Sequence, residues 1–213
     1  MRPMSNSQCT MYLLRHGATD VNTAHPPRLQ GRGMNLGLSD VGRRQAECAA
    51  EFFASRPLTA VYSSPLLRAQ ETAGLIAARH ALSVHTIDEL IEVDVGQWEG
   101  RAWVEIEQTE PEAYQRFMAD PGAHGYAGGE SFLDVQRRVA PAMAEVLAAN
   151  DGGRILVVAH NIVNRAYLAS LLNLPLAFSR MIHQDNCGIN IVRLKDGETQ
   201  LRTQNATFHL EGM

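Results

Sequence analysis

The sequence has few of the features that mark secreted or membrane-spanning proteins. Its three cysteines, Cys9, Cys48 and Cys187, lie far apart and form no CxxC pair. This favours reduced thiols over a disulfide framework. The longest apolar run, residues 168–178, is shorter than the roughly 20 residues needed to span a bilayer. Residues 1–9 are polar and lack the apolar core of a signal peptide. We therefore expect a cytoplasmic protein with no membrane partner.

A surplus of positive charge is also missing. The chain carries 19 Lys and Arg against 23 Asp and Glu, for a formal net charge of −4. Nucleic-acid-binding domains usually carry a basic surplus, so we predict no nucleic-acid partner. The hydrophobic fraction of 45% and charged fraction of 20% are typical of globular chains and exclude disordered, collagen-like and coiled-coil proteins. No repeat or linker divides the 213 residues, which predicts a single domain over 1–213 and leaves the oligomeric state open.

Short apolar runs alternate with amphipathic stretches along the chain. Strands are predicted at residues 10–14, 60–62, 82–87 and 155–159, with a closing hairpin of residues 188–194 and 199–203 around Asp196-Gly197. Helices are predicted after the N-cap Ser39, after Ser63-Ser64-Pro65 with proline in the first helical position, and over residues 132–147 and about 162–172. This alternation predicts an α/β fold, a three-layer α/β/α sandwich with a mostly parallel central sheet.

Residues 96–129 break the alternation, because they show helical and aromatic character without a strand pattern. We interpret them as a small helical cap inserted in the domain. The aromatic residues either pack the cap on the core or contact substrate, and packing is the simpler interpretation. The cap holds few basic residues, Arg101 and Arg116, which disfavours polyphosphorylated substrates.

Polar residues follow the two most apolar strands. Arg15-His16-Gly17 ends the first, and His160-Asn161 ends the strand at 155–159. Because ligands bind beyond the carboxyl ends of parallel strands, the two histidines are expected to face one pocket. Arg68 falls in the first turn of a helix that follows another strand, a position suited to phosphate oxygens. Glu92 lies ahead of Gly96-Gln97-Trp98-Glu99-Gly100.

The tripeptide Arg15-His16-Gly17, with Thr19 and Asn22, resembles the signature of the histidine phosphatase superfamily, also called the phosphoglycerate mutase-like family. Further blocks resemble the family in the same order: residues 29–32, 38–46, 63–73, 92–100, 128–138 and 155–160. The tripeptide alone is common by chance, whereas the ordered series is specific. The resemblance extends over about residues 10–195.

The resemblance implies a role for each matching residue. His16 would take up the phosphoryl group, Glu92 would act first as acid and then as base, and Arg15, Arg68 and His160 would bind the phosphate oxygens. The other implied substrate- or phosphate-binding residues are Asn22, Thr19, Gln30, Gly31, Asn161 and His183. No metal and no other cofactor is implied, since positively charged and hydrogen-bonding side chains would stabilise the phosphoryl group.

The resemblance points to a phosphatase that hydrolyses a small phosphorylated metabolite. The block at residues 96–100 and the short chain resemble the phosphatase branch. A phosphoglycerate mutase-type phosphotransferase that needs a bisphosphorylated primer and a silent phosphate-binding module stay open as alternatives. A metal-dependent hydrolase using His16, His160 and His183 is a weaker one. The chain departs from the family at Asn161, where a small residue is usual, and in a longer loop at residues 23–28.

Overall fold

The computed structural model describes residues 8–212 and contains one six-stranded sheet in the order β3-β2-β4-β1-β5-β6. The strands are β1 (Gln8–Arg15), β2 (Ala60–Ser63), β3 (Val84–Thr86), β4 (Arg154–Ala159), β5 (Ile189–Lys195) and β6 (Glu198–Ala206). β3, β2, β4 and β1 pair in parallel, whereas β5 and β6 add antiparallel pairs at one edge. The predicted mostly parallel sheet is therefore confirmed.

The helices are α1 (Asp20–Thr23), α2 (Asp40–Ala54), α3 (Leu67–Ala78), α4 (Trp103–Thr109), α5 (Pro111–Ala119), α6 (Phe132–Ala149) and α7 (Asn161–Leu171). Helices α2 and α3 pack together on one face of the sheet, and α6 and α7 pack together on the other. None of the helices within residues 8–212 is long and apolar enough to cross a membrane.

Strand β4 shows why its sequence is an unbroken apolar run. Ile155, Val157 and Ala159 belong to the core beneath α6 and α7, while Leu156 and Val158 belong to the core beneath α2 and α3. All five side chains are fully buried. A central parallel strand has helices on both faces, so it has no polar side. This confirms the three-layer sandwich.

The closing hairpin forms at the predicted turn. Asp196 and Gly197 have positive φ angles of 51° and 83°, as a two-residue type I′ turn requires. One helix start differs from the prediction. Pro65 precedes the helix, which begins at Leu67, because the hydroxyl of Ser64 accepts the amide proton of Leu66 at 3.3 Å and the chain stays extended there.

Residues 96–129 contain α4 and α5 and a short 3₁₀ turn at Gly96–Trp98, with no strand. Its aromatic side chains pack on the α6 side of the core. Phe117 and Tyr126 have ring centroids 4.4 Å apart, and the Trp98 ring meets both edge-on. Trp98 is fully buried. The aromatic residues thus attach this segment to the core, as the packing interpretation predicts.

Candidate active site

Two neighbouring strands bring His16 and His160 side by side. In the register of β1 and β4, Arg15 pairs with Ala159, so each histidine is the next residue beyond a paired position. The ring centroids are 5.1 Å apart, and His160 is fully buried and His16 nearly so. The two histidines are therefore neighbours, as the sequence predicts; His16 lines the cavity described below, whereas His160 is not among its lining residues.

The hydrogen bonds of His16 determine which ring nitrogen is free. Nδ1 lies 2.7 Å from the carbonyl oxygen of Gly17. A carbonyl only accepts, so Nδ1 carries the proton and Nε2 presents its lone pair when the ring is neutral. Burial holds the pKa of His16 well below its ordinary value, and the charges of Arg68 and Arg15 lower it further. Burial is thus a larger cause of the low pKa than either arginine.

Close backbone packing holds the loop after His16. A Cβ on Gly17 would lie 2.4 Å from the carbonyl oxygen of Gly42, and one on Gly42 would lie 1.8 Å from that of Ala18. The amide of Gly17 donates to the hydroxyl of Thr72 at 3.0 Å. Glycine is required at both positions, because a side chain would push α2 away from the loop.

Arg68 lies in the first turn of α3 and is fully buried. Its Nε donates to Nε2 of His16 at 3.2 Å, while its terminal nitrogens donate to the carbonyl oxygens of Met34 at 2.8 Å and Gly31 at 3.1 Å. The predicted residue Gly31 therefore holds Arg68 and does not line the cavity described below.

Arg15 and His160 each present a buried nitrogen without a hydrogen-bond partner among residues 8–212, Nε of Arg15 and Nδ1 of His160. Arg15 is held through Nη1, which donates to the carbonyl oxygen of Gln184 at 2.8 Å. Burial lowers its pKa to about 10, so the guanidinium still carries its charge at neutral pH. Burial also lowers the pKa of His160 well below its ordinary value.

Ser64 holds the other side of His160, with its hydroxyl 2.7 Å from Nε2. The sequence argument missed this residue, because a Ser-Ser-Pro run resembles a helix cap. Its place after β2 was the available signal. Since β2 pairs with β4, the residue that follows Ser63 lies beside the end of β4.

Glu92 is buried at the N-terminus of α7. Its carboxylate accepts from the amides of Val93 at 2.9 Å and Ile162 at 3.4 Å. Burial raises its pKa, and the hydrogen bonds and the charges of Arg68 and Arg15 only partly oppose this. Arg138 fixes the segment, because it donates to the carbonyl oxygen of Ile91 at 2.7 Å and binds both carboxylate oxygens of Glu130 at 2.9 and 3.0 Å.

A cavity of about 340 Å³ opens at these residues, a size suited to a small molecule. Of the predicted site residues, it is lined by Arg15, His16, Asn22, Gln30, Glu92 and Asn161. Thr19 is fully buried behind it, where its hydroxyl donates to Oε1 of Gln30 at 2.8 Å. His183 is exposed and is not among the lining residues, so its predicted substrate contact stays a prediction.

The cavity also has walls that the sequence argument did not identify. Trp103, Phe117 and Tyr126 line it from the 96–129 segment, so some of the aromatic residues both pack and face the cavity. Arg28, Arg165 and Arg180 line it as well. Arg165 was detectable from sequence because it lies four residues after Asn161 on the same helix face. Within residues 8–212, no group of three His, Cys, Asp or Glu side chains is placed to hold a metal ion, so His16, His160 and His183 do not converge.

Comparison with known proteins identifies the family. The sequence model of the histidine phosphatase superfamily (branch 1) matches residues 11–207. The chain belongs to this superfamily. A bifunctional protein of Mycobacterium tuberculosis is a relative of this histidine phosphatase and is 37% identical to it over 202 residues. The match covers 94% of this chain and 54% of that protein. The chain thus spans about half the length of that relative.

Two further relatives match along their whole length. Phosphoserine phosphatase 1 of Hydrogenobacter thermophilus is 30% identical over 200 residues, covering 94% of this chain and 93% of that protein. The solved structure of a mycobacterial glucosyl-3-phosphoglycerate phosphatase superposes with a TM-score of 0.84 at 31% identity, covering 94% of this chain and 100% of that chain. The central sheet and its helices match the fold of this superfamily.

Proposed function

We propose that the chain is a metal-independent phosphomonoester hydrolase that acts through a phosphohistidine on a small phosphorylated metabolite. The observation that carries this proposal is the state of His16. The ring is neutral, its Nδ1 proton is bound to the carbonyl oxygen of Gly17, and its unprotonated Nε2 accepts a hydrogen bond from the buried Arg68. A nucleophilic imidazole needs a free nitrogen and groups that stabilise the anion it attacks.

In the first step, Nε2 of His16 attacks phosphorus and the bond from phosphorus to the ester oxygen breaks. The N–H groups of Arg15, Arg68 and His160 donate to the phosphoryl oxygens, where charge develops. Glu92, whose pKa is raised by burial, reacts in its protonated form and gives its proton to the leaving oxygen. An alkoxide is a poor leaving group, so a positioned acid contributes about 10²–10⁴-fold.

In the second step, water attacks the phosphohistidine. The carboxylate of Glu92 takes one water proton, the bond between phosphorus and Nε2 breaks, and inorganic phosphate leaves. His16 returns to its neutral form with Nδ1 still bound to Gly17. Two arginines next to the reacting atoms supply the positive charge that a metal ion supplies in other phosphoryl-transfer enzymes.

The proposed single domain has residues 96–129 as a cap over the cavity. Support comes from Trp103, Phe117 and Tyr126, which line the cavity from this segment. The names of the two relatives that match along their whole length support phosphomonoesters of small metabolites as the substrate class.

The test is phosphate release from p-nitrophenyl phosphate in the presence of a chelator, for the wild type and His16→Ala. We expect turnover in the wild type and none in the variant. Loss of wild-type turnover in chelator would contradict metal independence. Turnover that requires a bisphosphorylated primer would favour the mutase alternative, and binding of phosphate without turnover on any ester would favour the silent module.

A further inference from the structure

Two arginines in the cavity have no carboxylate partner. Arg165 and Arg180 line the same cavity as His16, and neither joins an ion pair with any residue from 8 to 212. Arg28 also lines the cavity, but it is exposed and lies 3.9 Å from a carboxylate oxygen of Glu105. Arg165 and Arg180 are half-buried and therefore need a counter-charge more than Arg28 does.

Neutral main-chain groups hold both side chains in place. Nε of Arg165 donates to the carbonyl oxygen of Ile182 at 2.9 Å, and Nη1 of Arg180 donates to that of Met118 at 2.8 Å. The terminal nitrogens of Arg165 make no hydrogen bond to the described chain. The two guanidinium groups are therefore fixed in position without being neutralised, which is how an anion site is built.

The charges around this pair are unbalanced. Burial lowers the pKa of Arg165, Tyr126 and Glu92 oppose this, and the charge of Arg180 lowers the pKa further. Among the lining residues of the described chain, only Glu92 carries a carboxylate, and in the proposed reaction it must begin protonated. A buried cation without a partner is costly, so a ligand that brings an anion would be bound favourably here.

Helix α7 connects Arg165 to the histidines. His160 caps α7, Asn161 begins it and lines the cavity, and Arg165 lies one turn further on the same face. His16 and Arg165 thus line one cavity, whose size suits a small molecule that carries a phosphate and a second anion.

We infer that Arg165 and Arg180 form a second anion subsite, and that the substrate is a phosphomonoester whose leaving group carries a carboxylate or a second phosphate. This inference rests on the proposed phosphatase function. The inference also revises the expectation that the few basic residues of the cap disfavour substrates with more than one phosphate. In the cap, Arg101 pairs with Glu110 and Arg116 is exposed. The relevant arginines lie on α7 and on the turn Leu176–Met181.

The test compares 3-phosphoglycerate with glycerol 3-phosphate, which has a hydroxymethyl group in place of the carboxylate. Glycerol 1,3-bisphosphate tests a second phosphate as the anion. We expect the wild type to prefer either 3-phosphoglycerate or glycerol 1,3-bisphosphate over glycerol 3-phosphate. The expected preference is about 10- to 100-fold in kcat/KM, the range for a charge-assisted hydrogen bond. The preferred ester identifies the source of the anion.

Arg165→Gln and Arg180→Gln should lower that preference to less than a third of its wild-type value. Arg165→Lys should retain more of it than Arg165→Gln. The matched control is Arg116→Gln, because Arg116 is an exposed arginine outside the cavity and its loss should leave the preference unchanged. A preference that persists in both glutamine variants, or that is absent in the wild type, overturns the subsite.

Calorimetric binding of the same esters to His16→Ala separates this inference from the proposed function. That variant should still bind the ester with the second anion more tightly than glycerol 3-phosphate. If the wild type hydrolyses no ester but this binding preference is found and depends on Arg165, the function fails and the subsite stands. If esters are hydrolysed and bound without preference, the subsite fails and the function stands.

Discussion

The Nε of Arg68 lies 3.2 Å from Nε2 of His16, the nitrogen proposed to attack phosphorus. Because Nδ1 of His16 donates to Gly17, this contact joins a donor of Arg68 to the lone pair of a neutral imidazole. Burial and then the charge of Arg68 lower the pKa of His16 and favour its neutral form. In the proposed reaction, Arg68 also donates to the phosphoryl oxygens.

Replacement of Arg68 should therefore lower kcat strongly. We expect Arg68→Gln to lose about 3–4 kcal/mol of transition-state stabilisation, roughly a hundredfold to a thousandfold in rate, by analogy with the loss of one oxyanion donor. Steady-state hydrolysis of p-nitrophenyl phosphate measures it. The matched control is Arg79→Gln at the other end of α3, where the arginine is 53% exposed beside Glu51. Wild-type turnover in Arg68→Gln would remove Arg68 from the site.

The pH profile of kcat/KM should extend further into acid than an ordinary histidine allows. His16 must be neutral to react, and its pKa lies well below 6.5, so activity should persist as the pH falls through 6.5. Since the charge of Arg68 is one cause of this low pKa, Arg68→Gln should move the acid limb to higher pH. A wild-type acid limb centred at 6.5 or above would contradict the neutral state of His16.

Loss of Glu92 should affect substrates according to their leaving group. Its pKa is raised from 4.5, so it holds a proton at higher pH than a free carboxyl and can donate it. Glu92→Gln should lower kcat/KM, which reports the leaving-group step, far more for glycerol 3-phosphate than for p-nitrophenyl phosphate, because an aryl oxide leaves without a proton. In the wild type, kcat/KM for the alkyl ester should fall as the pH rises through the pKa of Glu92. Equal losses on both esters would argue against an acid at this position.

Arg138 should act as a positioning residue for Glu92. Two nitrogens of its guanidinium donate to the carboxylate of Glu130, and one donates to the carbonyl oxygen of Ile91. Arg138 therefore fixes the chain next to Glu92. A lysine keeps the positive charge but lacks the paired N–H donors of the guanidinium group. Arg138→Lys should therefore lower kcat about tenfold on the alkyl ester, and should have a smaller effect on kcat for the aryl ester and on KM. Arg137→Lys is the control, since that side chain is 69% exposed. The same loss on both esters would indicate a general structural defect instead.

Much of the fold and part of the site followed from local pattern. The apolar run at residues 155–159 predicted strand β4, and Asp196-Gly197 predicted the hairpin turn. His16 and His160 were predictable as neighbours because each follows an apolar strand of one parallel sheet. The roles of these residues came from the family resemblance and remain proposals until they are tested.

Other features depend on contacts between distant segments. Ser64 reaches His160, and the carbonyl of Gly31 reaches Arg68, across sequence separations of 96 and 37 residues. Arg180 lines the cavity from the 3₁₀ helix Leu176–Met181, an element that was not predicted from the sequence. The sign of the Glu92 pKa shift also needed the structure, because burial raises it while nearby arginines and amides lower it.

In the proposed mechanism, the phosphoryl group is transferred to water through a covalent bond to Nε2 of His16. Rapid quench of the wild type during turnover of p-nitrophenyl phosphate in chelator, followed by intact-protein mass spectrometry at alkaline pH, tests it most directly. We predict one added phosphoryl group, labile to acid and stable to base, which maps to His16 and is absent from His16→Asn. The phosphohistidine mechanism would be contradicted if the wild type turned over without a phosphoryl adduct and Glu92→Gln also accumulated no adduct under the same conditions.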